Sequence, residues 1–330
     1  MASAPPRGSQ EAWGGPALPC EGLYYGVDIG GSKIELVAYQ GDALRECWRR
    51  RVETPAQDFG AFVEAVAGLV EAADADLGGC GHLGLGLPGV VDPISGLQIS
   101  SNVPALNGQA VAPALMARLG RAVALGNDCQ CFALSEAHGG AAEGAESMFG
   151  AILGTGAGGG YCVNGRLLRG YNSLAGEWGH WPLPATLRER HGLPLWPCAC
   201  GLLACLERYV SGTGLAALYG AFGGEALDAA AIKARADAGE ALAQHCLAVH
   251  LDVLGAGLAG LVLALDPHVI VLGGGLSKLQ YLYRELPAAV ARHLFAGARV
   301  PPILMPAFGD AGGTRGAALL ARQQQSTSIS

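Results

Sequence analysis

The turn after Asp28 has residue types suited to phosphate chemistry. A short apolar run ends at this aspartate and is followed by four turn residues: Gly30, Gly31, Ser32 and Lys33. Glycine permits positive φ and lets backbone N–H groups approach phosphate oxygens. A neighbouring carboxylate can hold Mg²⁺ directly or through water. The motif therefore predicts a nucleotide-phosphate loop with Mg²⁺, and an ordinary glycine hairpin is the alternative interpretation.

A second glycine cluster follows another apolar run later in the chain. Its candidate phosphate-binding residues are Gly154, Thr155, Gly156, Gly158 and Gly159. One glycine-rich turn alone says little, but two in the same strand–turn–strand context predict loops that hold a nucleotide between them. The first turn lacks the spacing of a Walker A loop.

Asn127 and Asp128 follow a short apolar strand, Ala122 to Leu125. Ligands of α/β proteins bind at the carboxyl ends of such strands. An aspartate there can accept the proton of a hydroxyl nucleophile. The competing interpretation is that Asp128 caps the following helix.

Three cysteines lie within eight residues, at Cys198, Cys200 and Cys205. Together with one histidine they would form a closed, structural Cys₃His zinc site, with reduced thiols as the alternative. The fourth ligand is His180 or His191, and the spacing leaves both open. Such a site would brace the two candidate carboxylates for sugar hydroxyl groups, Glu177 and Glu207.

Two further segments contribute candidates. Asn102 can donate to and accept from a hydroxyl pair, although it is otherwise an ordinary loop residue. Gly274 and Gly275 follow the strand Val269 to Leu272, where they would let a base or ribose pack on the backbone.

The elements around these motifs predict an α/β protein. The strand–glycine turn–strand pattern occurs twice, at residues 23–39 and 148–170, and implies two lobes with a cleft between them. An amphipathic helix is expected at Phe59–Ala73. Further helices are expected at Val111–Leu119 and from Phe132 to His138, with a helix-rich stretch at Ala229–Leu265. We expect residues 1–21 to be a disordered tail, residues 22–130 with 311–325 to form the small lobe, and residues 131–310 the large lobe.

Composition excludes several classes of protein. The chain has 330 residues, a formal net charge of −7 and no Lys/Arg block, which argues against nucleic-acid binding. No uninterrupted apolar run reaches transmembrane length, and the N-terminus lacks the apolar region of a secretory signal. Scattered cysteines fit reduced thiols, so we expect a cytoplasmic protein without membrane contacts.

The motifs, in this order, resemble the ROK family over about residues 23–323. The specific stretches are Gly150–Gly160, Gly176–His180, Cys198–Gly201 and Cys205–Glu207. The resemblance implies the two-lobed actin-like ATPase (ribonuclease H-like) fold with the active site in the interlobe cleft. Ser32 stands where the family usually has Thr. Ala204 stands where it usually has Gly, which would be strained if that position needs positive φ.

The resemblance also implies residue roles and cofactors. Asp128 matches the catalytic base, and the glycine turns match the ATP-phosphate loops. The implied cofactors are ATP, Mg²⁺ and a structural Zn²⁺. Five residues besides Asp128 match sugar contacts, with His180 also matching the zinc ligand: Asn102, Asn127, Glu177, His180 and Glu207.

Within the family, the chain most resembles bacterial N-acetylglucosamine kinases. This implies phosphorylation of N-acetylglucosamine at its 6-hydroxyl, giving the 6-phosphate and ADP, and a homodimer. The alternative is a fructokinase or mannokinase of the same family. A sugar-responsive repressor would need a helix-turn-helix before Leu23, and the preceding residues, which include Pro5 and Pro6, contain no helix pair. A non-catalytic sugar-binding protein is disfavoured by the presence of Asp128 and both glycine turns.

Overall fold

Two five-stranded sheets of identical topology form the framework of the protein. The computed structural model describes residues 22–99, 103–309 and 312–327. Asn102 and the proposed N-terminal tail lie outside these residues. In each sheet, three strands that are consecutive in sequence pair antiparallel. Two further strands then extend the sheet in parallel, beside the first of the three.

The first sheet has the order β3-β2-β1-β4-β7. Its strands are β1 (Leu23–Ile29), β2 (Lys33–Gln40), β3 (Arg45–Glu53), β4 (His82–Leu87) and β7 (Val123–Asn127). Strands β5 (Val90–Val91) and β6 (Gln98–Ile99) form a separate small hairpin. Every residue of β1 and β4 is at least partly buried, which explains their near-continuous apolar sequences.

The second sheet has the order β10-β9-β8-β11-β12. Its strands are β8 (Ser147–Leu153), β9 (Ala157–Val163), β10 (Arg166–Leu168), β11 (Val269–Gly273) and β12 (Ile303–Leu304). The largest apolar core lies beside this sheet and includes the buried side chains of Phe149 and Trp178.

Ten α-helices surround the sheets in the described residues. They are α1 (Phe59–Leu77), α2 (Val111–Leu119), α3 (Asp128–Ala137), α4 (Ala185–His191), α5 (Glu207–Val210), α6 (Gly212–Ala221), α7 (Ala229–Asp237), α8 (Ala241–Leu265), α9 (Tyr281–Ala291) and α10 (Gly312–Thr327). Short 3₁₀ helices occur at Pro104–Leu106, Trp178–His180 and Gly275–Lys278.

Helices α3 and α10 pack together and join the two sheets. Helix α10 covers β1 and β4, and α3 covers β8 and β9. Glycines permit the close approach: a Cβ on Gly26 would lie 1.8 Å from the Thr314 carbonyl oxygen, and one on Gly316 would lie 1.8 Å from that of Cys131. This pair therefore fixes the position of the α3 N-terminus, where Asp128 lies, against the first sheet.

The predicted two-lobed α/β fold and both glycine hairpins are confirmed. Strand β3 was missed because its largely exposed, arginine-rich sequence lacks alternation. Among the described residues, helix α8 is long and apolar enough to cross a membrane by length and composition alone, although residues such as His250 and Asp252 interrupt its apolar sequence. Most of α8 is buried inside the protein, as in the core helix of a soluble protein.

Candidate functional site

The carboxyl ends of β1, β4 and β7 bring two aspartates to one edge of the first sheet. The register pairs Asp28 with Gly86, and Gly86 with Gly126, two residues before Asp128. Burial raises the pKa of Asp28 to about 6, and the negative charges of Asp128 and Glu35 contribute to the increase. Adjacent buried carboxylates of this kind are typical of a site that binds a cation.

Asn127, and not Asp128, is the N-cap of α3. Its Oδ1 accepts from the backbone N–H of Cys129 at 2.8 Å, and its Nδ2 donates to the Gly89 carbonyl at 2.8 Å. Asp128 is the first helical residue, and its Oδ1 accepts from the same Cys129 N–H at 2.8 Å. Burial raises the pKa of Asp128, against the effect of this hydrogen bond. A carboxylate whose pKa is raised is a better proton acceptor at neutral pH.

The second sheet presents a glycine turn at the corresponding edge. The Gly154 N–H donates to the Gly156 carbonyl at 2.9 Å, which closes the turn between β8 and β9. Gly274 follows β11 with φ 75°, and a Cβ there would lie 2.6 Å from the Leu153 carbonyl carbon. Only glycine allows these two backbones to approach so closely.

Two of the predicted turn glycines belong to a strand. The structure corrects the position of Gly158 and Gly159, which lie buried inside β9. A Cβ on Gly158 would lie 2.9 Å from the Cys129 sulfur, and one on Gly159 would lie 2.5 Å from the Phe149 ring. Their lack of a side chain is therefore explained by packing.

Positive φ does not explain the glycines of either turn. Gly30, Gly31, Gly154 and Gly156 all have φ outside the left-handed region, contrary to the expectation from sequence. In the first turn, the Gly30 N–H donates to the Lys33 carbonyl at 2.9 Å, and Gly31, Ser32 and Lys33 are exposed. Open backbone at this turn is consistent with an approach by phosphate oxygens.

The segment Gly176–His180 is held against β9 by its tryptophan and glycines. The Trp178 ring is fully buried, and its Nε1 donates to the Gly158 carbonyl at 2.8 Å. A Cβ on Gly179 would lie 1.9 Å from the Ala157 carbonyl oxygen, and one on Gly176 would lie 2.2 Å from that of Gly159. This packing presents the intervening Glu177 and the following His180 at a fixed place beside the glycine turn.

His180 joins the three cysteines in one cluster. One ligand atom from each of His180, Cys198, Cys200 and Cys205 lies within 4.8 Å of the others. The Cys200 and Cys205 sulfurs are 3.6 Å apart, and His180 Nδ1 is 3.7 Å from the Cys198 sulfur. A tetrahedral zinc with Zn–S bonds of about 2.3 Å separates its ligands by roughly 3.8 Å, so this donor set fits Zn²⁺.

The other candidate ligand, His191, lies elsewhere. Its Nε2 is 2.8 Å from an oxygen of Asp252 on α8, and this carboxylate also accepts from His293 Nε2 at 2.9 Å. Ala204 precedes the last cysteine with φ 55°, so the loop does adopt the left-handed conformation there. Alanine is strained by about 1 kcal/mol in that conformation.

Glu207 connects the cysteine cluster to the glycine turn. Its Oε1 accepts from the Cys198 sulfur at 2.9 Å, and its Oε2 accepts from the Ala157 N–H at 3.4 Å. Glu177 Oε2 lies 3.6 Å from Nε2 of His180. Burial raises the pKa of Glu177; His180 opposes the increase, whereas Asp128 and Glu207 add to it. Asp128, at the edge of the first sheet, and Glu177, packed against the second, thus influence each other electrostatically.

Several residues that contact the glycine turn or β7 were not predicted from the sequence. Thr213 Oγ1 donates to the Thr155 carbonyl at 2.5 Å, and the Gly212 N–H donates to the Gly154 carbonyl at 2.8 Å. Arg169, which follows β10 of the second sheet, donates from Nη2 to the Leu125 carbonyl on β7 of the first sheet at 2.9 Å, and burial lowers the pKa of this arginine. The sequence of Ser211–Gly214 has the pattern of a capped helix start, so the segment that contains Gly212 and Thr213 could have been predicted. Nothing in the sequence distinguished Arg169.

Comparison with known proteins decides the family. The ROK family matches residues 24–324. The chain belongs to the ROK family. It is 48% identical over 299 residues to the N-acetylgalactosamine kinase AgaK of Shewanella sp. (strain ANA-3), which covers 90% of this chain and 96% of the relative. It is 43% identical over 300 residues to the N-acetyl-D-glucosamine kinase of Photobacterium profundum, which covers 90% and 99%.

A solved ROK structure has the same fold. The ROK hexokinase from Thermus thermophilus superposes with a TM-score of 0.81 at 34% identity, over 92% of this chain and 99% of that one. The predicted family and the actin-like fold are confirmed. The residue roles implied by the resemblance stay predictions, including that of Asn102, which lies outside the described residues.

Proposed function

We propose that this ROK protein is an ATP-dependent sugar kinase that phosphorylates the 6-hydroxyl of an N-acetylhexosamine. The observation that carries the proposal is the position of Asp128, at the edge of the first sheet beside Asp28 and within the electrostatic reach of Glu177 from the other lobe. A base, a cation-binding carboxylate and two glycine turns at one cleft suit in-line phosphoryl transfer. The names of the relatives favour the same reaction.

In the proposed reaction, Asp128 accepts the proton of the 6-hydroxyl as its oxygen attacks the γ-phosphorus. The bond from the γ-phosphorus to the β,γ-bridging oxygen breaks, and ADP leaves with those electrons. Mg²⁺ held near Asp28 would neutralise charge on the β- and γ-phosphates. The turns at Gly30–Lys33 and Gly154–Gly156, with Gly274 and Gly275 behind the second turn, would hold the nucleotide.

The sugar would lie between Asp128 and the segment that ends at His180. Glu177 and Glu207 would accept hydrogen bonds from sugar hydroxyls, and Asn127 would contact the sugar with the amide hydrogen that Gly89 leaves available. Zn²⁺ at the Cys₃His cluster would be structural. It would hold His180 directly as a ligand, and it would fix Glu207, which lies two residues after the ligand Cys205 at the start of α5.

N-acetylglucosamine is the proposed substrate, since it is the substrate named for several relatives at 40–43% identity. N-acetylgalactosamine is the second candidate, because a relative that is 48% identical carries the corresponding name. The two sugars differ only in the configuration at C4, so the choice depends on one hydroxyl contact. A cytoplasmic location, a homodimer and the lobe boundaries 22–130 with 311–325 and 131–310 belong to the same proposal.

The test is an ADP-release assay with Mg·ATP and equal concentrations of N-acetylglucosamine, N-acetylgalactosamine, glucose, mannose and fructose. We expect kcat/KM to be highest for an N-acetylhexosamine and Asp128→Asn to lose at least about 10²-fold in kcat. Near-normal turnover in Asp128→Asn would remove this residue as the base. A preference for fructose or mannose would refute the substrate class.

A further inference from the structure

A cavity of about 580 Å³ lies outside the cleft, where the two sheets are connected. Among its walls are the β2–β3 turn, the chain after α3 and the start of α10, represented by Tyr39, Leu44, His138, Gly139, Phe308 and Arg315. The chain passes towards the second sheet after α3 and returns to the first at α10. The cavity therefore borders both connections, and its volume is in the range of small-molecule sites.

Arg315 is the distinctive residue of this cavity. It is only 8% exposed, and its guanidinium lies 4.1 Å above the ring of Phe308. Its Nη1 donates to the Ser135 carbonyl at 2.9 Å and is 3.4 Å from Ser135 Oγ. In the part of the chain that the structure describes, Nε and Nη2 have no hydrogen-bond partner, and no carboxylate lies within 4.0 Å of the guanidinium. Burial lowers the pKa of Arg315.

The surroundings leave the guanidinium open towards the cavity. Gly139 adopts φ 74°, and a Cβ there would lie 3.0 Å from Arg315 Nη2. Three acidic residues line the cavity: Glu46 accepts from Arg49 at 2.8 Å, Glu143 accepts from the Gly139 N–H, and Asp42 lies beside Arg322, which donates to its backbone carbonyl at 3.0 Å. A buried guanidinium with no carboxylate of the described residues within 4.0 Å is costly, and an oxyanion would satisfy its free edge with two hydrogen bonds.

We propose that this cavity binds a small organic anion through Arg315. The ligand carries one carboxylate or phosphate monoester on the guanidinium, and its body lies against Phe308, Tyr39 and Leu44. The site is separate from the cleft and does not depend on the proposed kinase activity. A ligand here contacts both connections between the sheets, so its occupancy would affect how the lobes move relative to each other.

The test is calorimetric titration of the full chain with three probes: orthophosphate, N-acetylglucosamine 6-phosphate and pyruvate. N-acetylglucosamine and a non-hydrolysable ATP analogue are present at saturating concentration, so that the cleft is filled. We expect one-to-one binding of at least one probe with a Kd of about 1 mM or tighter. Binding of pyruvate alone assigns a carboxylate ligand, and binding of either phosphate alone assigns a phosphate ligand.

Amino-acid substitutions test whether the probes bind in this cavity. Arg315→Gln is expected to weaken it at least about tenfold, and the exposed control Arg299→Gln to leave it unchanged. If Arg315→Gln fails to fold, Ala43→Trp is the deciding variant. Ala43 is an exposed residue of the cavity wall, and a tryptophan there would block the entrance of the cavity and weaken binding of the probe. No binding of any probe up to about 10 mM, or binding that the deciding variant leaves unchanged, would overturn the proposal.

Discussion

Asp28 and Asp128 lie at the carboxyl ends of β1 and β7, and the charge of Asp128 adds to the effect of burial in raising the pKa of Asp28 to about 6. The charge of Asp128 makes Asp28 more costly to ionise without a cation. The same arrangement would favour binding of Mg²⁺ with its nucleotide. Removing the charge of Asp28 should therefore raise the free energy of unfolding and at the same time lower the kinase activity.

Asp28→Asn should stabilise the ligand-free protein. The raised folded pKa means that ionised Asp28 costs stability progressively as the pH rises from about 4 to 6, and fully above that range. The shift corresponds to at most roughly 3 kcal/mol in the free energy of unfolding at pH 7. Denaturant unfolding at pH 7 should show this gain together with loss of kinase activity. The control Asp76→Asn removes an exposed carboxylate and should change stability little. Lower stability in Asp28→Asn would contradict the interpretation.

The cysteine cluster should hold one zinc per chain. Elemental analysis of protein purified without chelators should find it, and Cys205→Ser should lose it, whereas the exposed control Cys47→Ser should retain it. Because His180 is a ligand and Glu207 lies two residues after the ligand Cys205, loss of zinc should raise KM for the sugar more than KM for ATP. A fully metalled Cys205→Ser protein would exclude this cluster as the zinc site.

Gly274 and Gly275 offer a matched pair of substitutions. Gly274→Ala places a methyl group 2.6 Å from the Leu153 backbone at φ 75°, and should lower the free energy of unfolding by about 2 kcal/mol while raising KM for ATP. A Cβ on Gly275 meets nothing within 4 Å, so Gly275→Ala should be nearly neutral for stability. Thermal and denaturant unfolding measure both. If the two variants lost the same free energy of unfolding, the close approach of Gly274 to Leu153 would not be what excludes a side chain at position 274.

Asp252 should stabilise the large lobe in a pH-dependent way. Burial raises its pKa, but hydrogen bonds from His191, His293 and Arg190 outweigh burial and hold the pKa at about 2. A lowered folded pKa gives stability that is present above about pH 4 and lost as the pH falls towards 2. Asp252→Asn should therefore cost about 2 kcal/mol at pH 7, and less in acid. If Asp252→Asn lowered the free energy of unfolding by the same amount at pH 7 and at pH 3, the ionised Asp252 carboxylate would not be the source of this stability.

Both glycine hairpins and the cluster of three cysteines could be predicted from the sequence, because the residues that form each of them are close together in the chain. It could not choose between His180 and His191, since His191 is nearer to Cys198 in sequence but points to Asp252 in the fold. Arg169 was missed because its contact with the Leu125 carbonyl depends on how two lobes meet. Gly158 was misplaced because glycines that permit helix packing look the same in sequence as glycines in a turn.

The most direct measurement is identification of the product formed from Mg·ATP and N-acetylglucosamine, with N-acetylgalactosamine in parallel. Phosphorus–proton correlation by NMR should place the new phosphate on C6, with ADP formed in equal amount and no product from Asp128→Asn. Absence of phosphoryl transfer to both sugars, or a phosphate on another carbon, would contradict the proposed reaction.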